Sequence, residues 1–331
     1  MTGTRLGAAG PEVSRICLGT WAFGGNWGPS EPRTAERTIA AARDAGVNFF
    51  DTAYSYGAGR SEEILGRALR EEVLRDRERV VIATKAGLRI DGDRMVRDSS
   101  PRQLRNGVEA SLRRLGVDYV DLVYVHWPDP ATPFAVSAEA LAELVSEDKV
   151  RWIGVSNFDA GQLAAFAAEI PVTAVQPPFH MLRREAAEHL FPACLDRGIG
   201  LAAYSPLAHG LLAGSVTRER AFHADDWRRG RPEFRGSGLK RNLDVVHDLA
   251  EVASGRGIAL PALAVGWVLA HEAVTTAIVG ARNPDQLCPA IEAPEVELSD
   301  EDMAALDRIL RRSVPIEGPR PETRRLARVR E

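Results

Sequence analysis

The chain has 331 residues, a formal net charge of −4 and 45% hydrophobic residues, ample for a large buried core. The near-neutral balance argues against nucleic acid or an anionic membrane surface as partner. No apolar run approaches the roughly 18 residues of a membrane span.

The opening stretch, MTGTRLGAAGPEVSR, lacks an apolar signal-peptide core, so a cytoplasmic location is expected. Cys17, Cys194 and Cys288 stand alone, with no CxxC, and read as packing residues rather than metal ligands or a disulfide framework. Only Lys85, Lys149 and Lys240 are lysines among the 42 basic residues. A chain that uses arginine for generic positive charge draws attention to each lysine it keeps. Lys149 and Lys240 sit in polar surroundings, whereas Lys85 directly follows the apolar run VVIAT.

In chain order, residues 4–15 suit a hairpin, and short apolar runs then alternate with helix-period segments. Strands are expected at 16–19, 48–51, 80–84, 119–125, 150–155, 172–176, 199–203 and 275–279. Helices are expected near 33–45, 60–74, 101–115, 134–147, 159–168, 184–197, 261–271 and 284–291. Pro101 and Pro261 suit first-turn positions, and Gly116 and Gly198 suit C-terminal caps. Eight strand–helix alternations without a Pro- or Ser-rich linker point to one (β/α)8 TIM barrel over residues 1–331. A doubly wound open sheet is the alternative, but no GxGxxG follows any strand; GTWAFGG at 19–25 has the wrong spacing. Residues 205–240, after the seventh strand, are too long for an ordinary βα loop. Their aromatics Phe222, Trp227 and Phe234 suggest a lid. The Arg-rich tail, about 313–331, reads as surface.

A barrel of this kind builds its site at the C-terminal strand ends. Those ends carry Asp51, Lys85, His126 with Trp127, Ser156 with Asn157, Gln176, Tyr204 with Ser205, and Gly280 to Arg282. Each has a bland reading: Asp51 as a cap, His126 as a satisfied core histidine, Ser156–Asn157 as an N-cap pair, Tyr204 as rim packing. Together they converge acid, amine, imidazole and phenol on one mouth. A phenol is too weak an acid near neutrality, with a pKa of about 10. An adjacent ammonium favours its phenolate, and a carboxylate would offset the burial of that ammonium. The set suits a general acid aimed at a carbonyl.

These residues and their surroundings resemble the aldo-keto reductase family. The likeness runs through ICLGTWAFGG, FFDTAYSYGAGRSEEILG, ATKAG, VDLVYVHWPD, WIGVSNF, VQPPF, AYSPLAHGLLAG and AIVGARNPDQL, in family order and spacing. The lid text FHADDWRRGRPEF is most similar to the bacterial and potassium-channel β-subunit branch. The resemblance implies a catalytic tetrad of Asp51, Tyr56, Lys85 and His126, with Tyr56 the proton donor. It also implies a nicotinamide cofactor, NADPH, bound without a Rossmann domain and used to reduce a small-molecule aldehyde or ketone. Ser156, Asn157 and Gln176 would hold the carboxamide and Tyr204 would stack on the ring. Gly19, Thr20, Trp21 and Asp51 would line the same end. Ser205, Pro206, Leu207, Gly210 and Leu211 would follow the pyrophosphate, and Gly280, Arg282 and Gln286 the adenosine phosphate. Trp21, Tyr54, Tyr56, His126 and Trp127 would face the substrate; no metal is implied. Pro289 and Ala290 replace a Glu-Asn pair common in the family, so one adenine contact departs from the pattern. The alternative within the resemblance is a redox-sensing regulatory subunit like the channel β-subunits.

Overall fold

A computed structural model describes residues 3–25, 27–28, 31–92, 94–224, 226–318 and 320–321. Its centre is a closed barrel of eight parallel strands, each paired with its sequence neighbours and the last with the first. We label the strands β1 (Ile16–Gly19), β2 (Phe49–Asp51), β3 (Val81–Ala86), β4 (Val120–Val125), β5 (Val150–Ser156), β6 (Ala174–Gln176), β7 (Gly200–Tyr204) and β8 (Val274–Gly280).

The period-2 alternation of a strand separates two apolar layers. Ile16, Leu18, Phe50, Ile82, Val123, Val125, Ile153, Val155 and Val175 belong to the cluster that also contains the helix residues. Cys17, Phe49, Ala83, Leu122, Tyr124, Ala174, Ala202 and Ile278 form a second cluster inside the barrel. The hairpin of Gly3–Arg5 and Glu12–Ser14 closes the N-terminal end, with Leu6 and Val13 fully buried in that inner cluster. Backbone and side chains fasten it there: Ala8 N–H donates to Gly198 O (2.8 Å) and Trp152 Nε1–H to Ala9 O (2.9 Å).

The helix boundaries follow local chemistry. Pro101 opens the helix Pro101–Leu115 and Gly116 closes it in the left-handed region. Asp159 and Gln162 form a reciprocal cap at Ala160–Ala167. The segment expected as one helix over 60–74 is two, Arg60–Ala68 and Arg70–Arg75, divided where Leu69 leaves helical geometry (ψ 4°).

Three further elements were not anticipated. The lid ends at Arg235, where a helix of 20 residues, Gly236–Gly255, begins. Its glycines conceal an apolar face at Leu239, Val246, Leu249 and Ala253. A hairpin, Leu88–Asp91 with Arg94–Arg97, rises beside β3. After β8 and the helix Pro284–Ile291 comes Asp300–Leu310, capped reciprocally by Ser299 and Asp302.

The tail expected on the surface is anchored over its described part. Asn242, wholly buried, accepts from Val314 N–H (2.8 Å) and donates Nδ2–H to Val314 O (3.0 Å). Ile316 is fully buried, its N–H bonded to Leu182 O. Residues 322–331 of that tail lie outside the described residues.

Candidate active site

A cavity of about 370 Å³ opens among the C-terminal strand ends. Its floor is the inward alternation carried one step further. Cys17, Phe49, Ala83, Tyr124, Gly154, Ala174, Ala202 and Ile278 point inward, and two residues on stand Gly19, Asp51, Lys85, His126, Ser156, Gln176, Tyr204 and Gly280. All of these except Lys85 line the cavity; Lys85 lies just beneath it, 1% exposed.

The ammonium of Lys85 has three hydrogens and three partners. Nζ donates to Asp51 Oδ1 (2.5 Å), to Thr52 O (2.9 Å) and to the Tyr56 side chain. Burial opposes its charge, but Asp51 and Tyr56 more than offset that and hold its pKa above the ordinary lysine value. Gln176 Nε2–H occupies the other carboxylate oxygen, Asp51 Oδ2, at 2.8 Å. Because Tyr56 accepts from Lys85, its own O–H is directed elsewhere. The Tyr56 ring meets His126 edge-on at 6.1 Å between centroids, and both line the cavity.

Tyr56 is held by a close backbone approach. A Cβ on Gly24 would lie 2.6 Å from the Tyr56 carbonyl carbon, and Gly57 beside it has φ +66°. We expect Gly57→Ala to destabilise the fold by at least ~1 kcal/mol, the cost of left-handed backbone in alanine. Thermal unfolding checks this; an unchanged Tm would mean the turn relaxes freely.

Thr20 and Tyr54 stand outside the wall. Thr20 Oγ1–H donates to Asp51 O (2.9 Å), and Ser61 Oγ–H donates to Thr20 O (2.9 Å), tying β1 to β2. Tyr54 does not join the substrate wall expected from the resemblance. Its hydroxyl donates to Leu88 O (2.8 Å), and burial pushes its phenol pKa up. Trp21 and Trp127 do line the cavity, together with Leu88 and Met95 of the unanticipated hairpin. Arg97 covers the outer face of Trp127, 5.0 Å from the ring centroid.

The opposite wall is a set of short polar braces. Ser156 Oγ–H donates to Gln176 O (2.9 Å). Asn157, at φ +63°, donates Nδ2–H to His126 O (2.9 Å) and accepts the Tyr204 hydroxyl on Oδ1 (2.8 Å). The following stretch is strained: Ser205, Ala208 and His209 all have positive φ. Ser205, Pro206, Leu207 and Gly210 reach the cavity, whereas Leu211 packs fully buried behind them. At the end of β8 and just after it, Gly280, Arg282 and Gln286 line it, with Asn283 Oδ1 accepting from Gln286 N–H and Gln286 Oε1 from Arg282 N–H.

Several wall residues were missed from sequence. His209 packs among Trp21, Trp27 and Trp227, and burial with nearby Arg183, Arg228 and Arg231 pulls its pKa down to about 3. Arg228 of the lid donates to both oxygens of Asp226 (2.9 and 2.6 Å) and to His209 O (2.9 Å). Its Arg-Pro-rich context offered no periodic signal, only the spacing Asp-x-Arg. Asp285, Pro289 and the tail residues Gly318, Arg320 and Pro321 complete the lining.

A phosphate-bearing ligand suits this wall. Arg220, Arg228, Arg282 and Arg320 face it against Asp51 and Asp285; Asp51 is paired with Lys85, Arg228 with Asp226 and Arg320 with Glu317. A Cβ on Gly280 would meet no atom nearer than 3.9 Å and would occupy cavity space that the glycine leaves for a ligand. Among the described residues no cluster of His, Cys, Asp or Glu could hold a metal ion. No described single helix is long and apolar enough to cross a membrane.

The profile of the Aldo/keto reductase family matches residues 15–311. The chain is 40% identical over 313 residues to the aldo-keto reductase YhdN of Bacillus subtilis (strain 168), covering 94% of each chain. It is 34% identical to the NADH-specific methylglyoxal reductase of Escherichia coli (strain K12), covering 90% of this chain and 94% of that one. Among solved structures it is similar to the glycerol dehydrogenase AKR11B4 from Gluconobacter oxydans. That match has a TM-score of 0.85 and 37% identity, covering 96% of this chain and 98% of the other. The chain belongs to the aldo/keto reductase family, whose members named here are oxidoreductases.

Proposed function

We propose that the protein reduces an aldehyde or ketone with NADPH, Tyr56 acting as the general acid. The observation that carries this is Lys85: its buried ammonium donates to Asp51 Oδ1, to Thr52 O and to the Tyr56 side chain, which sets a positive charge against the phenol oxygen and favours its giving up a proton. When bound, the nicotinamide supplies a hydride to the carbonyl carbon. His126 and Tyr56 converge on the carbonyl oxygen; Tyr56 transfers its proton as charge develops there, and Lys85 stabilises the phenolate that remains. Ser156, Asn157 and Gln176 would hold the carboxamide, Tyr204 the ring, and Arg282 the 2′-phosphate. Trp21, Leu88, Met95 and Trp127 would exclude water around the reacting carbon. Purified protein should oxidise NADPH with a reactive aromatic aldehyde, without added metal. Cofactor binding with no turnover across aldehydes, ketones and keto-sugars would instead favour a regulatory subunit.

Cofactor choice turns on two neighbours in the wall. Arg282 supports NADPH, since a guanidinium makes charge-assisted bonds to a 2′-phosphate. Asp285 shares that wall and supports the second reading, NADH, because a carboxylate accepts from a free ribose hydroxyl; one relative is NADH-specific by name. Charge-assisted bonds contribute ~1.5–3 kcal/mol, so Arg282→Ala should weaken NADPH by about one to two orders of magnitude and NADH little. Titrating both cofactors decides it: equal losses would remove Arg282 from phosphate recognition.

A further inference from the structure

A buried hydroxyl network that no step of the reaction uses lies behind the Tyr56 turn. Ser61, in the first turn of the helix Arg60–Ala68, is fully buried and is not part of the cavity lining. Its Oγ accepts from Thr52 Oγ1–H (3.1 Å) and donates toward Thr20, with Thr20 O at 2.9 Å and Thr20 Oγ1 at 2.7 Å. Thr20 Oγ1–H in turn donates to Asp51 O (2.9 Å). Each hydroxyl spends its one hydrogen in the same direction, from Thr52 to Ser61 to Thr20 to Asp51 O. Thr20 and Thr52 are fully buried as well, so solvent does not reach them to replace a lost bond. Asp51 and Thr52 are the residues whose Oδ1 and O receive Lys85, at 2.5 and 2.9 Å. The Ser61 N–H meanwhile donates to Tyr56 O at 3.2 Å. Ser61 therefore joins the backbone that receives Lys85, through its hydroxyl, to the turn that carries Tyr56, through its N–H.

We propose that Ser61 is a positioning residue for the reaction, clasping the Asp51–Thr52 backbone to the Tyr56 turn and so setting the Lys85 ammonium against the Tyr56 phenol. The two groups arrive by different routes. Lys85 extends from β3, whereas Tyr56 stands five residues past Asp51, the end of β2, on a turn outside any strand or helix. Removing the Ser61 hydroxyl strands the Thr52 hydrogen and loosens the backbone whose carbonyl receives Lys85. Lys85 from β3, His126 after β4 and Tyr204 at the end of β7 act on the phenol, and Asp51 reaches it through Lys85. Of these contacts the Ser61 hydroxyl bears on the one with Lys85. An ammonium held farther away favours the phenolate less, because Coulomb attraction falls with distance.

The inference rests on the reductase reading, which wild-type turnover tests separately. Titration of the Tyr56 phenol by ultraviolet absorbance, with Tyr56→Phe subtracted, needs no turnover and keeps the two apart. The experiment compares Ser61→Ala and Thr52→Val in the full chain with Thr276→Val. That control removes an equally buried hydroxyl, which donates to Ser14 O (3.0 Å) at the N-terminal end of the barrel. Ser61→Ala and Thr52→Val should each lower kcat roughly ten-fold, the size of coupling between contacting residues, with KM and NADPH Kd unchanged. In both, the phenol should titrate at higher pH than in wild type, and the alkaline limb of kcat should move up with it. Thr276→Val should lower Tm comparably but leave kcat and the titration unchanged. A phenol titration and an alkaline limb at the wild-type positions in Ser61→Ala would overturn the proposal, even with Tm lowered, because the hydroxyl would then serve the fold only. An equal shift in Thr276→Val would overturn it too. If Ser61→Ala does not fold, Thr52→Val decides by the same titration: a phenol at its wild-type position overturns it.

Discussion

Tyr56→Phe is expected to lower kcat by ~10²–10⁴-fold, the usual contribution of a positioned general acid, while leaving NADPH affinity and fold nearly intact. The substitution removes one hydroxyl from a residue at the cavity edge and leaves the ring that meets His126. Lys85 would keep Asp51 Oδ1 and Thr52 O as partners. Tyr54→Phe is the control. Its hydroxyl is committed to Leu88 O, and Tyr54 is not part of the cavity lining, so its loss should change kcat little. The reverse pattern, with Tyr54→Phe inactive and Tyr56→Phe active, would mean the proton comes from the other phenol.

The second large effect is expected at Lys85. Removing one partner of a buried ion pair leaves the other charge uncompensated and costs about 3–5 kcal/mol. Lys85 and Asp51 side chains are 1% and 3% exposed, so Lys85→Met should lower Tm sharply and abolish turnover. Lys85→Arg keeps the charge but brings five donors in a rigid fork to a slot with three acceptors. We expect its kcat to lie near that of Lys85→Met, even in a chain that otherwise prefers arginine. Retained activity in Lys85→Arg would show that only the charge matters.

The barrel and the arrangement of the site could be read from sequence for one physical reason. Inward-facing residues of parallel strands recur with period 2, and the polar residue ending each run is the next inward position. Phe49 is followed by Asp51, Ala83 by Lys85, Tyr124 by His126 and Ala174 by Gln176. Residues brought by irregular segments escaped the same logic. His209 stands in a stretch whose positive φ values no pattern of apolar residues announces. Arg228 enters from the lid, and Arg320 from a tail whose anchoring depends on a buried asparagine some seventy residues away in sequence, Asn242. The two missed helices had signals that were overlooked: an apolar face through Leu239, Val246 and Leu249 behind glycines, and the Ser299–Asp302 cap. Tyr54 and Tyr56 differ by two positions, and only the structure separates them: Tyr54 bonds Leu88 O, whereas Tyr56 lines the cavity beside Lys85 and His126.

The central claim is hydride transfer from the nicotinamide to a carbonyl carbon with proton delivery by Tyr56. Its most direct test supplies NADPH deuterated at the transferred position with an aromatic aldehyde and locates the label by mass spectrometry and NMR. The expected result is an alcohol carrying deuterium on the former carbonyl carbon, formed by wild type and nearly lost in Tyr56→Phe. Label found in solvent or retained on the cofactor, or alcohol formed equally by both proteins, would contradict it.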